Sequence, residues 1–133
     1  MRLTRASSYA LHALAYLAAQ RKDAAAASHV IAQKRGIPKR FLLKVLKPLV
    51  EARILLSLKG PNGGYRLARS ANDVSLLEVI EAIDGPIEGH APSGRQEAGA
   101  HLNRRLEQIC SHAAEQVRKQ LGKIKITELS FRD

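Results

Sequence analysis

Arg40, Lys44 and Lys47 recur at i, i+4 and i+7, with Lys39 directly ahead of them. On a helix this spacing makes one exposed ridge, and such a ridge can do two things: neutralise phosphates and donate hydrogen bonds to the acceptor edges of bases. Solvated helix faces ordinarily mix charge signs. From Lys39 to Val50 no acid occurs, so the ridge implies a polyanionic partner. A second group of residues follows at Lys59-Gly60-Pro61-Asn62-Gly63-Gly64-Tyr65-Arg66-Leu67. Asn62-Gly63 reads as the positive-φ tip of a tight hairpin, and Leu56, Leu58, Tyr65 and Leu67 have the period-two spacing of two short flanking strands. A tip so poor in side chains can approach a groove closely, with Lys59 and Arg66 beside it to meet phosphates.

The distribution of charge supports the same reading. The 133-residue chain has a net charge of +10. Residues 1–70 hold 14 Lys/Arg against Asp23 and Glu51, whereas residues 71–133 hold 8 against 10 acids. Positive charge is thus concentrated in the half that carries the ridge and the hairpin, as a nucleic-acid-facing surface requires.

The elements that must position these residues are legible in the apolar spacing. Ala6, Tyr9, Ala10, Ala13, Leu14, Leu17 and Ala18 predict a first helix over 4–20. Asp23 and the alanines after it read as a soft link into a short second helix over 26–35, with Val30 and Ile31 inward and Gly36 as its left-handed end. Pro38 opens a third helix reaching residue 52, with Phe41, Leu42, Val45, Leu46 and Leu49 inward. Pro48 should leave the Lys44 carbonyl without its helical donor and bend the last turn. Helices two and three form a helix-turn-helix. Beyond the hairpin, Ser75-Leu76-Leu77-Glu78 is a capping box opening a helix that ends at Gly85-Pro86. Residues 85–100 read as an exposed, mobile connection. Leu102, Leu106, Ile109, Ala113, Val117 and Leu121 then form one stripe on a long helix over 101–121. A domain of about 85 residues can cover only part of that stripe, so a second copy is expected on the rest, giving a two-fold dimer suited to an inverted repeat. Ile124, Ile126 and Leu129 should pack the tail back.

The expected fold class is therefore mainly α with a small β-wing. Residues 1–85 form a winged helix-turn-helix domain, and residues 86–133 supply the exposed loop, a long C-terminal dimerisation helix and the tail. No apolar run is long enough to span a bilayer and the N-terminal residues lack a signal-peptide core, so a cytoplasmic protein without a membrane partner is expected.

Several ordered motifs resemble one family. They are Met-Arg-Leu-Thr with Tyr9-Ala10; Gly36-Ile37-Pro38, Phe41-Leu42, Val45-Leu46 and Leu49; the wing from Lys59 to Leu67; Glu78-Val79-Ile80 with Ile83-Asp84-Gly85; and Ile126-Thr127-Glu128-Leu129. Together they resemble the Rrf2 family of bacterial winged-helix transcription regulators, of the IscR and NsrR type, over nearly the whole chain. The resemblance implies a homodimeric repressor or activator, a repressor being the expectation, that binds double-stranded DNA with helix three in the major groove and the wing beside or in the minor groove. It places base-reading residues at Pro38, Lys39, Arg40 and Leu43, and wing contacts at Lys59, Asn62, Gly63 and Gly64. Lys44, Lys47 and Arg66 would hold phosphates.

Two departures from the family pattern stand out. Arg53 occupies a position where many members end helix three with glycine. More consequentially, cluster-binding members present three cysteines in the region matching residues 88–104, and this chain has only Cys110. One thiol excludes an intrachain disulfide and a thiolate-rich site within one chain, and iron–sulfur ligation needs such thiolates. No cofactor is therefore expected. The candidate ligands that remain are Glu88, His90, Glu97 and His101, together with an inter-subunit set of His12 with Cys110, His90 or His101 that could hold zinc or haem. Cys110 at helical spacing from Leu106, Ala114 and Val117 reads equally as a small packing residue. The controlling signal is open: a small-molecule effector, a thiol modification or a protein partner.

Two other functional classes fit the sequence less well. A basic RNA-associated protein would share the charge but not the ordered helix-turn-helix and wing, and 4% aromatic residues are few for base stacking. Catalysis is rejected, because no Ser-His-acid set or paired-carboxylate site occurs and the glycine-rich wing lacks the lysine of a nucleotide-binding loop.

Overall fold

A computed structural model describes residues 1–21, 23–92 and 99–129. The first helix, α1 (Arg5–Ala18), starts where the Thr4 hydroxyl accepts the Ser7 amide at 3.0 Å. It is the centre of the molecule. Ala10, Ala13 and Leu14 are fully buried, and the two alanines let neighbouring backbones approach closely. The Thr4 and Ser7 hydroxyls also donate to the Asp84 carboxylate at 2.8–3.0 Å. This ties the start of α1 to the end of α4 (Leu76–Asp84).

Helix α2 (Ser28–Arg35) ends at Gly36 with φ +65°, and Ile37 donates back to the Ala32 carbonyl at 2.9 Å. Helix α3 (Lys39–Glu51) buries Leu42, Val45, Leu46 and Leu49 on one face and keeps Pro48 within its last turns. Its end is a Schellman motif: Arg53 donates to the Val50 carbonyl and Ile54 to the Leu49 carbonyl, both at 3.0 Å, with Arg53 left-handed at φ +61°. Leu49 and Ile54 are both fully buried beneath it. Arg53 thus adopts the conformation that glycine would take more readily.

Strands β1 (Leu55–Leu58) and β2 (Gly64–Leu67) pair antiparallel, Leu55 opposite Leu67 and Leu58 opposite Gly64. Two features differ from the sequence expectation. The tip is a five-residue loop over 59–63 closed by Gly63 donating to Gly60 at 3.0 Å, and positive φ falls on Gly60 and Gly64 instead of Asn62 and Gly63. The apolar phase of β1 is also shifted: Leu55 is buried and Leu56 is 41% exposed. The Schellman turn causes this shift, because it sends Ile54 and Leu55 together into the core.

The link before α2 is not soft. Ala26 and Tyr65 exchange both backbone hydrogen bonds, at 2.9 and 2.8 Å, so residue 26 acts as a one-residue third strand on the open edge of β2.

Ser75 and Glu78 form the reciprocal capping box that opens α4. Residues 85–100 were expected to be an exposed, mobile connection; residues 93–98 lie outside the described residues, and the part over 86–92 is fastened, Ile87 donating to Glu81 at 2.8 Å and Ala91 to Glu107. The long helix α5 (Ala100–Gly122) follows. The Arg118 guanidinium grips Glu81 with two bonds of 3.0 and 3.1 Å, joining α5 to α4. The chain then returns to the head: Leu76 donates to Ile124 and Ile126 to Val74, and Ile126 is buried in the core of α1, α3 and α4. No helix among the described residues is long and apolar enough to cross a membrane.

The architecture is mainly α with a small two-stranded wing: a winged helix-turn-helix followed by a long C-terminal helix.

Candidate nucleic-acid interface

The outward face of α3 follows from its inward one. With Leu42, Val45, Leu46 and Leu49 buried, the helical period turns Lys39, Arg40, Leu43, Lys44 and Lys47 to solvent, and all five are exposed. Pro38 precedes them as the exposed N-terminal cap residue, and no acid lies in the first turn. Among the described residues no carboxylate pairs with Arg40, Lys44 or Lys47. The ridge is thus a line of uncompensated cations. The buried Ile54-Leu55 corner sets the wing's direction relative to it.

Lys59 and Asn62 are exposed on the wing loop, whereas Gly63 and Gly64 are half-buried. A side chain on Gly63 would lie 2.2 Å from the Leu58 carbonyl oxygen, and one on Gly64 2.3 Å from that of Ala26. Gly64 therefore serves a close approach to the link before α2, not an open tip. Arg66 also faces that link: its guanidinium donates to the Asp23 carbonyl at 3.3 Å and lies 4.0 Å from the Asp23 carboxylate. Its geometry is that of a brace at the wing's base.

Phe41 departs from expectation. It is 37% exposed, with the Arg40 guanidinium carbon 4.8 Å and the Lys44 ammonium 5.7 Å from its ring centroid. Tyr9 of α1 lies behind it, centroids 6.5 Å apart. Position 41 is one step round the helix from the buried row, so its ring falls on the edge of the ridge. Sequence reasoning missed this cluster, although aromatic–cation spacings of i−1 and i+3 around Phe41 could have revealed it. Arg5, Ala6, Tyr9, Phe41, Lys44 and Val45 line a groove of about 260 Å³ there.

Of the candidate ligands within one chain, Glu88 and His90 meet each other, whereas the inter-subunit set of His12 with Cys110, His90 or His101 would need a second copy. The Arg35 guanidinium lies 2.7 Å from His12 Nδ1. Both ring nitrogens of His90 meet carboxylates, Nε2 at Glu88 (2.9 Å) and Nδ1 at Glu107 (2.8 Å). His101 is exposed at the start of α5, and Glu97 lies outside the described residues. Cys110 is half-buried, and Gly89 crosses so close to the backbone there that a side chain on it would sit 1.9 Å from the Cys110 carbonyl oxygen. Among the described residues no three His, Cys, Asp or Glu are arranged to hold a metal ion. One thiol and a histidine already held on both nitrogens do not fit iron–sulfur ligation within one chain.

Charge instead fastens the loop and α5. Hydrogen bonds donated to the carboxylates of Glu88 and then Glu107 raise the His90 pKa above its ordinary value. The Ala91 amide and then His90 lower that of Glu107. Arg118 and the Ile87 amide hold Glu81 low against its partial burial. For Glu78, burial pushes the pKa up, but the Arg69 guanidinium and the Ser75 amide outweigh it and the net shift is downward.

Comparison with known proteins places this geometry in context. A family model described as "Rrf2: Iron-dependent Transcriptional regulator" matches residues 3–131. A Rhodobacter capsulatus protein named as an rrf2-like HTH-type transcriptional regulator is 42% identical over 88 residues, covering 64% of this chain and 59% of that protein. The HTH-type transcriptional regulator IscR of Photobacterium profundum is 33% identical over 95 residues, covering 71% and 55%. The matched part of the chain thus spans somewhat more than half the length of these relatives. Among solved structures, CymR, titled the global cysteine regulator of B. subtilis, is similar with a TM-score of 0.74 at 20% identity, over 96% of this chain and 95% of that one. IscR of T. potens is similar with a TM-score of 0.69 at 18% identity, over 96% and 85%. At these identities the structural likeness speaks for the fold alone.

Proposed function

This chain belongs to the Rrf2 family of transcriptional regulators, which are not enzymes, and from that premise we propose that it binds an inverted-repeat operator in double-stranded DNA as a cytoplasmic homodimer and represses by occupying it. The observation that carries this reading is the exposed face of α3, where Arg40, Lys44 and Lys47 stand in line and pair with no carboxylate among the described residues. Pro38, Lys39, Arg40 and Leu43 enter the major groove, Arg40 and Lys39 donate to guanine O6 and N7, and Lys44 and Lys47 hold phosphates. Lys59, Asn62 and Gly63 present the wing loop to the adjacent groove. Gly64 and Arg66 support it from behind.

Homodimerisation is supported by the outer stripe of α5. Leu102, Leu106 and Ile109 are 59%, 40% and 51% exposed, a continuous apolar edge that water covers at a cost. Ala113, Val117 and Leu121 continue it toward α4. In this reading residues 1–85 read DNA and residues 86–133 pair the two heads. The single thiol favours a regulator working without an iron–sulfur cluster.

Selection of duplexes from a random pool, followed by competition against random duplex, structured RNA and single strands at several salt concentrations, tests the proposal. A palindromic enriched sequence bound by two chains is the expected result. A monomer with equal affinity for all duplexes would overturn it.

A further inference from the structure

We propose that Phe41 is a positioning residue for the duplex-reading face: its ring holds Arg40 and Lys44 in one fan before DNA arrives. The inference rests on the DNA-binding reading above and adds a residue which that reading does not use. Long cationic side chains on an exposed helix sample many rotamers, and ordering them on binding weakens affinity. Here both cations stand over one aromatic ring, at 4.8 and 5.7 Å from its centroid, within the range of cation–π attraction. No carboxylate among the described residues competes for either. The ring is itself held. Tyr9 stands behind it with planes inclined by 32°, and Ala6 and Val45 line the same groove. The arrangement therefore couples α1 to the aim of α3: Tyr9 fixes Phe41, and Phe41 fixes the guanidinium and the ammonium. A ring buried for stability alone would sit in the core row with Leu42 and Val45. This one remains 37% exposed between two charges.

The test compares Phe41→Leu, which keeps apolar bulk but removes the π face, with Phe41→Tyr, which keeps it. The probe is a duplex enriched by the wild-type protein from a random pool. Phe41→Leu should bind it about three- to tenfold more weakly, with wild-type circular dichroism and Tm. It should also relax base preference at the same position as Arg40→Ala, while Phe41→Tyr binds as wild type. In an Arg40→Ala, Lys44→Ala background, Phe41→Leu should cost nothing further. Wild-type affinity and base preference in Phe41→Leu would overturn the proposal, as would an undiminished loss in the doubly substituted background, since the ring would then be touching DNA or merely filling space. Failure of the wild-type protein to prefer any duplex would instead bring down the parent reading along with this one.

Discussion

Single side chains divide the work at the candidate interface. Arg40 has a planar fork that can bind a guanine edge with two bonds, whereas Lys44 and Lys47 are point charges suited to phosphates. Arg40→Ala should therefore lose about 1–3 kcal/mol of discrimination at one base pair. Lys44→Ala should weaken all duplexes alike and lower the salt slope by about 1. Binding isotherms on the selected and random duplexes over a salt series separate the two. Arg53 is a different case, a residue whose backbone matters more than its charge. It is left-handed at φ +61° within the turn that launches the wing. Arg53→Gly should stabilise the protein by about 1 kcal/mol in denaturant melts, because glycine meets no Cβ penalty there. DNA affinity should be unchanged.

At the scale of elements, one attachment holds the tail to the head and another holds the loop over 86–92 to α5. The first is the fold-back of the tail. Ile126 is 1% exposed, so Ile126→Ala should cost about 3 kcal/mol, comparable to other large-to-small changes in a packed core. Chemical denaturation of the whole chain measures it. The second is the loop over 86–92, fastened by His90 between Glu88 and Glu107. The His90 pKa is raised above 6.5, so its contribution is complete below 6.5 and is lost as pH climbs through the raised value. The Glu107 pKa is lowered below 4.5, so its contribution is complete above 4.5 and is lost as pH falls through the lowered value. The tether is therefore strongest between these two limits. An NMR titration should show the Ala91 amide shifting as pH rises past the His90 transition, and His90→Gln should abolish that step.

For the whole molecule, the proposal is that pairing along α5 holds two heads on one operator. Pairing turns the second half-site contact into an intramolecular event, which typically adds two to four orders of magnitude in affinity. Leu106→Glu places a charge in the middle of the exposed α5 edge. It should leave the circular dichroism intact, yield a monomer in analytical ultracentrifugation and weaken operator binding on the order of 100-fold. A Leu106→Glu protein that stays dimeric would move the interface off this stripe.

The sequence by itself determined what local rules govern. Helix periods placed α1 to α5, Gly36 and the Ser75–Glu78 capping box marked ends, and the unmixed charges of α3 pointed to its candidate binding face, since each depends only on neighbours a turn or less away. The lack of thiolates for a cluster was equally plain. Tertiary structure decided the rest, because those features arise where distant segments meet. The wing's phase follows from Ile54 and Leu55 sharing the core, and Gly64 and Arg66 face backward because Ala26 pairs with the edge of β2 and Asp23 meets Arg66. Loop 86–92 is fastened because Glu81 and Glu107, on two different helices, accept its amides. Phe41 lies at the boundary of its helix's apolar arc, and only the arrival of Tyr9 from α1 determines that its ring stays on the surface between two cations.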